Sequence, residues 1–270
     1  MRITFLGGGN MASAMIGGLL QQHYSAAAIQ VIELNAEARE QLTERFGVRC
    51  TDHIDTAARA TDVWVLAVKP QQMKEAIAPL AGTLSHELVI SIAAGLRLEA
   101  LQRWLGGHSL LVRCMPNTPA LIGKGMTGLV ATPSVDRELR HEAERILSAA
   151  GQTEWVQDES LIDAVTAISG SGPAYVFYFI ESLMDAGIQL GLDKEQSRRL
   201  ALATFTGAAE LAATSSEDPA TLRARVTSKG GTTEAALRCM DEALVREIIL
   251  RAATAARDRG QELGDILGTN

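Results

Sequence analysis

Near the end of the sequence, the stretch VTSKGGTTEAAL (226–237) sets the hydroxyls of Thr227, Ser228, Thr232 and Thr233 around a Lys229-Gly230-Gly231 core, just before residues that read as a helix. Unpaired amides at a helix start attract negative charge, glycines let a ligand approach the backbone, and hydroxyls add donors. Such a loop can seat a carboxylate or a phosphate. It can equally be a plain cap, with a threonine at the N-cap and Glu234 favouring the helix dipole. On this stretch alone both readings stay open.

A second stretch at the amino end is more specific. FLGGGNMASAMIGGLL puts Gly7-x-Gly9-x-x-Ala12 directly after an apolar run and at the mouth of a helix. This spacing suits a dinucleotide: Gly7 permits the tight turn, Gly9 lets a pyrophosphate reach the backbone, and Ala12 allows helix to pack on strand. The amides of Asn10 and Met11 then face the phosphates. A second strand, IQVIEL, ends in Glu33, at the spacing of an acid that hydrogen-bonds ribose hydroxyls. An acid there suits a free diol and repels a 2'-phosphate, while Arg39 is the nearby guanidinium able to reach one. Two further stretches break at the ends of apolar runs, where open sheets bind ligands: LAVKP, with Ala67, Val68, Lys69 and Pro70, and SIAAG, with Ala93. Lys69 is read as contributing backbone rather than acting as a catalyst. In MPNTP, Asn117 can orient a nicotinamide or a substrate, or cap a turn.

These residues need a scaffold, and the sequence describes one. Up to about Val156, the short β-branched runs RITFLG, IQVIEL, DVWVLAV, ELVISIA, LLVRCM and TGLVA alternate with helical patterns, and TEWV can add a last strand. That rhythm predicts an α/β, Rossmann-type, mostly parallel sheet over 1–157. After Asp158 no strand pattern returns, and 158–270 reads as an all-helical domain. LIDAVTAISGSGPAYVFYFIESLMDAGIQLGL is apolar on nearly every side, so it calls for burial all round and for a partner subunit to supply it. Asp193 with Gln196 reads as a capping box, and Gly47 and Gly151 as helix ends.

Composition narrows the classes. The chain has 270 residues, a formal net charge of −7 and no Lys/Arg run, which argues against a nucleic-acid partner. Cys50, Cys114 and Cys239 show no metal spacing, so a reduced, cytoplasmic setting and no metal are expected. No leader and no membrane span is read from the sequence.

Taken together, GGGNMA, AVKP, SIAAG, MPNTP, SGSGPAY and TSKGGTT resemble the pyrroline-5-carboxylate reductases, in the same order and over nearly the whole chain. The resemblance implies NADH or NADPH as cofactor, 1-pyrroline-5-carboxylate as small-molecule substrate, and a helical domain that interleaves with a second subunit in a homodimer, with dimers often gathered into decamers. It also implies that Ser228, Gly230, Gly231 and Thr232 surround the substrate carboxylate and that Thr233, the candidate catalytic residue, stands near the ring nitrogen. Some members carry an Asn-Arg or Ser-rich pair suited to NADPH; this chain reads Glu33-Leu34-Asn35. A similar architecture occurs in β-hydroxyacid dehydrogenases, whose long helix supplies a lysine where this chain has Val176. Carbonyl reduction needs a proton donor, and His23, His53, His86, His108 and His141 all lie outside the motifs, leaving only Tyr175 and Tyr178. An imine arrives protonated and makes a smaller demand. A non-catalytic dinucleotide-binding oligomer would leave the Ser/Thr/Gly loop unused.

Overall fold

The computed structural model describes residues 1–268. The first elements alternate in the expected rhythm. They are β1 (Ile3–Leu6), α1 (Asn10–Gln21), β2 (Ile29–Ile32), α2 (Ala36–Phe46), β3 (Arg49–Thr51), α3 (Thr56–Arg59), β4 (Val63–Leu66), α4 (Met73–Ile77), β5 (Leu88–Ser91), α5 (Leu98–Trp104), β6 (Leu111–Met115), β7 (Gly125–Ala131), α6 (Arg137–Leu147) and β8 (Gly151–Trp155). They form one eight-stranded sheet in the order β3-β2-β1-β4-β5-β6-β7-β8, parallel throughout except where β6 meets β7. Every residue of β1, β2, β4 and β5 is buried, as strands covered on both faces must be. Successive side chains enter opposite cores: Phe5, Val31, Val65 and Ile90 on one face, Leu6, Ile32, Leu66 and Val89 on the other. Thr4, polar and fully buried in β1, donates its hydroxyl to the Ala58 carbonyl at 3.1 Å.

Two glycines set how closely the layers approach. A Cβ on Gly18 of α1 would stand 1.8 Å from the Ala149 carbonyl oxygen, and one on Gly151 would stand 2.1 Å from the Gly125 oxygen across the β7–β8 pair. Gly47 closes α2 in the left-handed conformation, φ 66°. The sequence reading did not separate β3, a strand of three partly exposed residues held by its register with β2.

After β8 come α7 (Leu161–Val165) and a π-helical turn, Thr166–Gly170, in which the Ser171 amide reaches back to the Thr166 carbonyl at 2.8 Å. The expected long helix is therefore broken at SGSGP. Pro173 brings no amide, and the hydroxyls of Thr166 and Ser169 bond to carbonyls four residues back. The break near 157 marks where strands end, but the first compact unit runs from Met1 to Ser171 and takes in the segment beginning at Ala256. Ile162 of α7 is 1% exposed in the second core, and Glu159 pairs with Arg113 of β6. Of the helical domain expected over 158–270, the last two residues lie outside the described ones.

The second unit, Gly172–Ala255, holds α8 (Gly172–Gln189), α9 (Lys194–Thr214), α10 (Pro219–Arg225), α11 (Thr232–Glu242) and the start of α12 (Val245–Gly268). The Asp193–Gln196 capping box opens α9. Ser197 fixes α9 on α8 by donating to the Met184 carbonyl at 2.6 Å, where a Cβ on Gly187 would meet its Oγ at 2.2 Å. No residue of α8 is buried; Phe177 and Tyr178 are 64% and 68% exposed. Among the described residues no helix is long and apolar enough to cross a membrane.

Candidate active site

The strand order reverses between β1 and β4, and the site begins there. In open α/β sheets ligands bind at this switch point, outside the carboxyl ends of the strands. Gly7 leaves β1 with φ 102°, and a Cβ on it would stand 2.8 Å from the carbonyl group of Ala67, so only glycine lets the two strand ends lie side by side. Gly9 is the N-cap of α1 and has no side-chain cap. A Cβ on Gly9 would meet nothing within 4 Å, so the open space above the turn has no packing purpose. The helix-start amides from Asn10 through Ala12 lack intrahelical partners. A cleft of about 360 Å³ opens beside them, lined by Gly8, Gly9, Asn10, Ser13, Gln41 and Arg45. The cradle fits a pyrophosphate.

Glu33 follows β2. Its carboxylate accepts the Gly8 amide on Oε2 and the Asn35 amide on Oε1, each at 2.9 Å. The sequence predicts a ribose contact for this acid; in the structure it fixes the glycine turn. Gly8, which the sequence reading passed over, thereby joins the site, and a Cβ on it would stand 2.5 Å from Leu42 Cδ1. Arg39 turns back to the Glu33 and Leu34 carbonyls, both 2.8 Å from Nη1.

At the end of β4, Ala67 continues the ladder to the Leu6 carbonyl. Exposed Lys69 is the N-cap of a 3₁₀ turn that Pro70 opens. Ala93, 4% exposed, lies just past β5 before the positive-φ turn at Gly95. Asn117 is committed to the protein itself: Nδ2 donates to the Ser169 carbonyl at 3.0 Å and Oδ1 accepts the Met126 amide at 2.9 Å. Its side chain thus joins MPNTP to the π-turn, where Gly170 leaves room for Met115, whose Cε would be 2.7 Å from a Cβ. Two motifs distant in sequence meet here, a contact that periodicity gives no means of reading. Mid-helix π-turns often mark functional sites.

The 226–237 loop differs from both opening readings. The N-cap of α11 is Gly231, not a threonine, and no side chain caps it. Thr227 donates its hydroxyl to the Arg223 carbonyl at 2.6 Å. The amides expected to face an anion are taken within the loop: Gly230, at φ 74°, donates to Glu234 Oε2 at 2.7 Å, and Gly231 donates to the Ser228 carbonyl at 3.0 Å. Thr232, Thr233 and Glu234 form the first turn, so their amides are the ones left at its start. Ser228 and Thr232 are exposed and Thr233 is half-buried.

Arg113, alone among apolar residues in β6, is 3% exposed and pairs with Glu159 at 2.8 Å and Asp163 at 3.8 Å. The signal was its isolation in LVRCM. Beside it, burial pushes the Cys114 thiol far above its ordinary value, which leaves it no role as a nucleophile. Among the described residues no group of His, Cys, Asp and Glu could hold a metal ion.

Known proteins resemble this chain along its whole length. The family model described as pyrroline-5-carboxylate reductase dimerisation matches residues 159–263, and that described as NADP oxidoreductase, coenzyme F420-dependent, matches 2–95. The pyrroline-5-carboxylate reductase of Pseudomonas aeruginosa is 45% identical over 99% of this chain and 98% of its own. The solved pyrroline-5-carboxylate reductase of Coxiella burnetii superposes with a TM-score of 0.93 at 41% identity, covering 97% of this chain and 98% of that one. The Plasmodium falciparum pyrroline carboxylate reductase, solved with NADP bound, gives 0.85 at 29% identity over 98% of each chain. With its glycine turn at the sheet's switch point, its helical dimerisation region and relatives of this closeness along its full length, the chain belongs to the pyrroline-5-carboxylate reductase family.

Proposed function

We propose that residues 228–233 seat the substrate of this reductase, 1-pyrroline-5-carboxylate, and that Thr233 stands at the ring nitrogen as the substrate is reduced to L-proline. The observation that carries the proposal is Glu234, whose carboxylate accepts the Gly230 amide at 2.7 Å. The loop thus accommodates a carboxylate oxygen already, and the substrate presents the same group. On binding, the substrate carboxylate displaces Glu234 from the Gly230 amide and meets the Thr232 amide and the Ser228 hydroxyl, with side-chain-free Gly231 leaving room for it.

Gly7, Gly9, Asn10, Met11 and Ala12 hold the pyrophosphate of NADH or NADPH, Glu33 holds the ribose, and Ala67, Val68, Lys69, Pro70 and Ala93 line the remainder. Asn117 contributes by fixing the MPNTP loop. When bound, the reduced nicotinamide supplies a hydride. The protein's own part is orientation: a carboxylate held at the loop fixes the ring, so the imine carbon keeps one pose, and a fixed pose removes much of the entropic barrier. The Thr233 hydroxyl oxygen accepts a hydrogen bond from the protonated ring nitrogen. The imine nitrogen arrives protonated, so Val176, which replaces the lysine of a β-hydroxyacid dehydrogenase, leaves no gap in the chemistry. The helical region pairs two copies into a homodimer, which stands alone or gathers with other dimers into a decamer.

Kinetics on Thr233→Ala test the reading. The expected result is a ten- to hundredfold fall in kcat/KM, about 1.4 to 2.7 kcal/mol, with the melting temperature unchanged. A variant that melts earlier but turns over 1-pyrroline-5-carboxylate with wild-type kcat and KM would return Thr233 to a structural part.

A further inference from the structure

The ends of β2 and β3 hold an arrangement of charge that bears on which dinucleotide is accepted, provided the dinucleotide reading above is right. Glu33 has both oxygens engaged by backbone amides, so its rotamer is set before any ligand arrives. An ionised carboxylate has about four lone-pair directions, which leaves about two free here. The ribose of NADH brings a diol, two O–H donors that match them. A 2'-phosphate brings acceptors and a charge of about −1.5 to −2, and so offers the carboxylate no hydrogen bond and strong repulsion.

Asp52 adds to that repulsion, and Arg39 is the nearby cation that opposes it. Ile32 pairs with Thr51, and the Glu33 amide donates to the Thr51 carbonyl at 2.9 Å, which places Asp52 on the strand end next to Glu33. The His53 ring, 2.6 Å away, and more weakly Arg39 hold the Asp52 carboxyl below its ordinary range, so it is charged at neutral pH. Arg39 itself is bound to two carbonyls of the β2–α2 turn, both 2.8 Å from Nη1. Leu34, 80% exposed between them, adds no charge.

We infer that Glu33 and Asp52, with Arg39 held on the backbone, make this chain select the dinucleotide bearing a free 2'-hydroxyl over its 2'-phosphorylated form. A relative of the same fold was solved with NADP bound, so the fold alone does not impose the choice.

Calorimetric titration with NAD⁺ and NADP⁺ separates the possibilities without relying on turnover. In the wild-type protein NAD⁺ is expected to bind at least tenfold more tightly. Glu33→Gln, which can still accept the Gly8 amide, and Asp52→Asn, a surface change that leaves the turn intact, are each expected to narrow that ratio at least threefold. NADP⁺ binding as tightly as NAD⁺ would overturn the inference. So would an unchanged ratio in both variants, or an Arg39→Met variant that loses tenfold in NADP⁺ affinity alone. Failure of a folded wild-type protein to bind either dinucleotide would overturn the underlying reading as well, which keeps the two failures distinct.

Discussion

Around the sheet of the first unit, fully buried side chains fill both faces, whereas in Gly172–Ala255 only Ser197 and Ala201 are buried among the described residues. The two regions are equally regular in backbone but differ in what covers them. In the first, glycines bring layers to within backbone contact, as at Gly18, Gly125 and Gly151. In the second, Val176, Phe177, Tyr178 and Phe179 stand consecutively and exposed on α8. Four consecutive residues sweep the full circumference of a helix at 3.6 residues per turn, so no single face of one neighbour can cover them. A helix apolar all round belongs in a core, and here the family's dimerisation region spans it. Apolar patterning records what must be covered, but not whether the same chain provides the cover.

Each unit can be perturbed by a single substitution. The largest effect is expected in the self-covered unit: Gly18→Val would force a Cβ to 1.8 Å from the Ala149 oxygen and cost about 4 kcal/mol or more, whatever the protein concentration. Urea unfolding checks this, and a loss under about 1 kcal/mol would mean that α1 is not pinned at Ala149. On the other side, Phe177→Glu changes a residue that is 64% exposed in the single chain. If α8 remained free, such a surface change would move stability by about 0.5 kcal/mol or less. With α8 buried against a second copy, the unpaired charge costs several kcal/mol. The expected result is a shift in light-scattering mass toward the 28.8 kDa monomer and a melting temperature that depends on concentration. Unaltered mass and melting would place the dimer contact elsewhere.

Much of this was legible from the residues. β1, β2, β4 and β5 announce themselves because buried parallel strands must be continuously apolar, and Gly7 because its positive φ and the Ala67 carbonyl leave no place for a side chain. What escaped depends on side chains choosing backbone partners distant in sequence. Asn117 gives its carboxamide to Ser169 and Met126, and Glu33 divides its oxygens between Gly8 and Asn35. Neither bond leaves a periodic trace. β3 was missed for another reason: three residues with partial burial are too few to show a period. In the 226–237 loop, composition left a threonine cap and an anion seat both open, and neither reading places Glu234 on the Gly230 amide.

The smallest expected effect sharpens the comparison by isolating an interaction that the first unit completes alone. Asp55 caps α3, accepting the Ala58 amide at 2.8 Å, and pairs with Arg49, which also donates to Gln30 Oε1 at 2.7 Å. The hydrogen bond from Arg49 chiefly, and then that from the Ala58 amide, lower the Asp55 carboxyl to about 2. Its value in the unfolded chain is about 3.9. Because the folded value is the lower one, the native state favours the ionised form: the stabilisation is complete above about pH 4 and is lost as pH falls from there toward 2. Asp55→Asn keeps a good N-cap but removes the charge. The variant is therefore expected to be modestly less stable at pH 7, with the gap closing as the buffer is taken from pH 5 to pH 3. Measuring the difference between the two proteins cancels the other carboxylates that titrate in this range, such as Asp158 and Asp218. Unlike the change at Phe177, this gap should be the same in dilute and concentrated protein, since both partners lie in one chain. A gap that stays constant or widens on acidification would show that Arg49 contributes nothing to Asp55 beyond its place at the helix end.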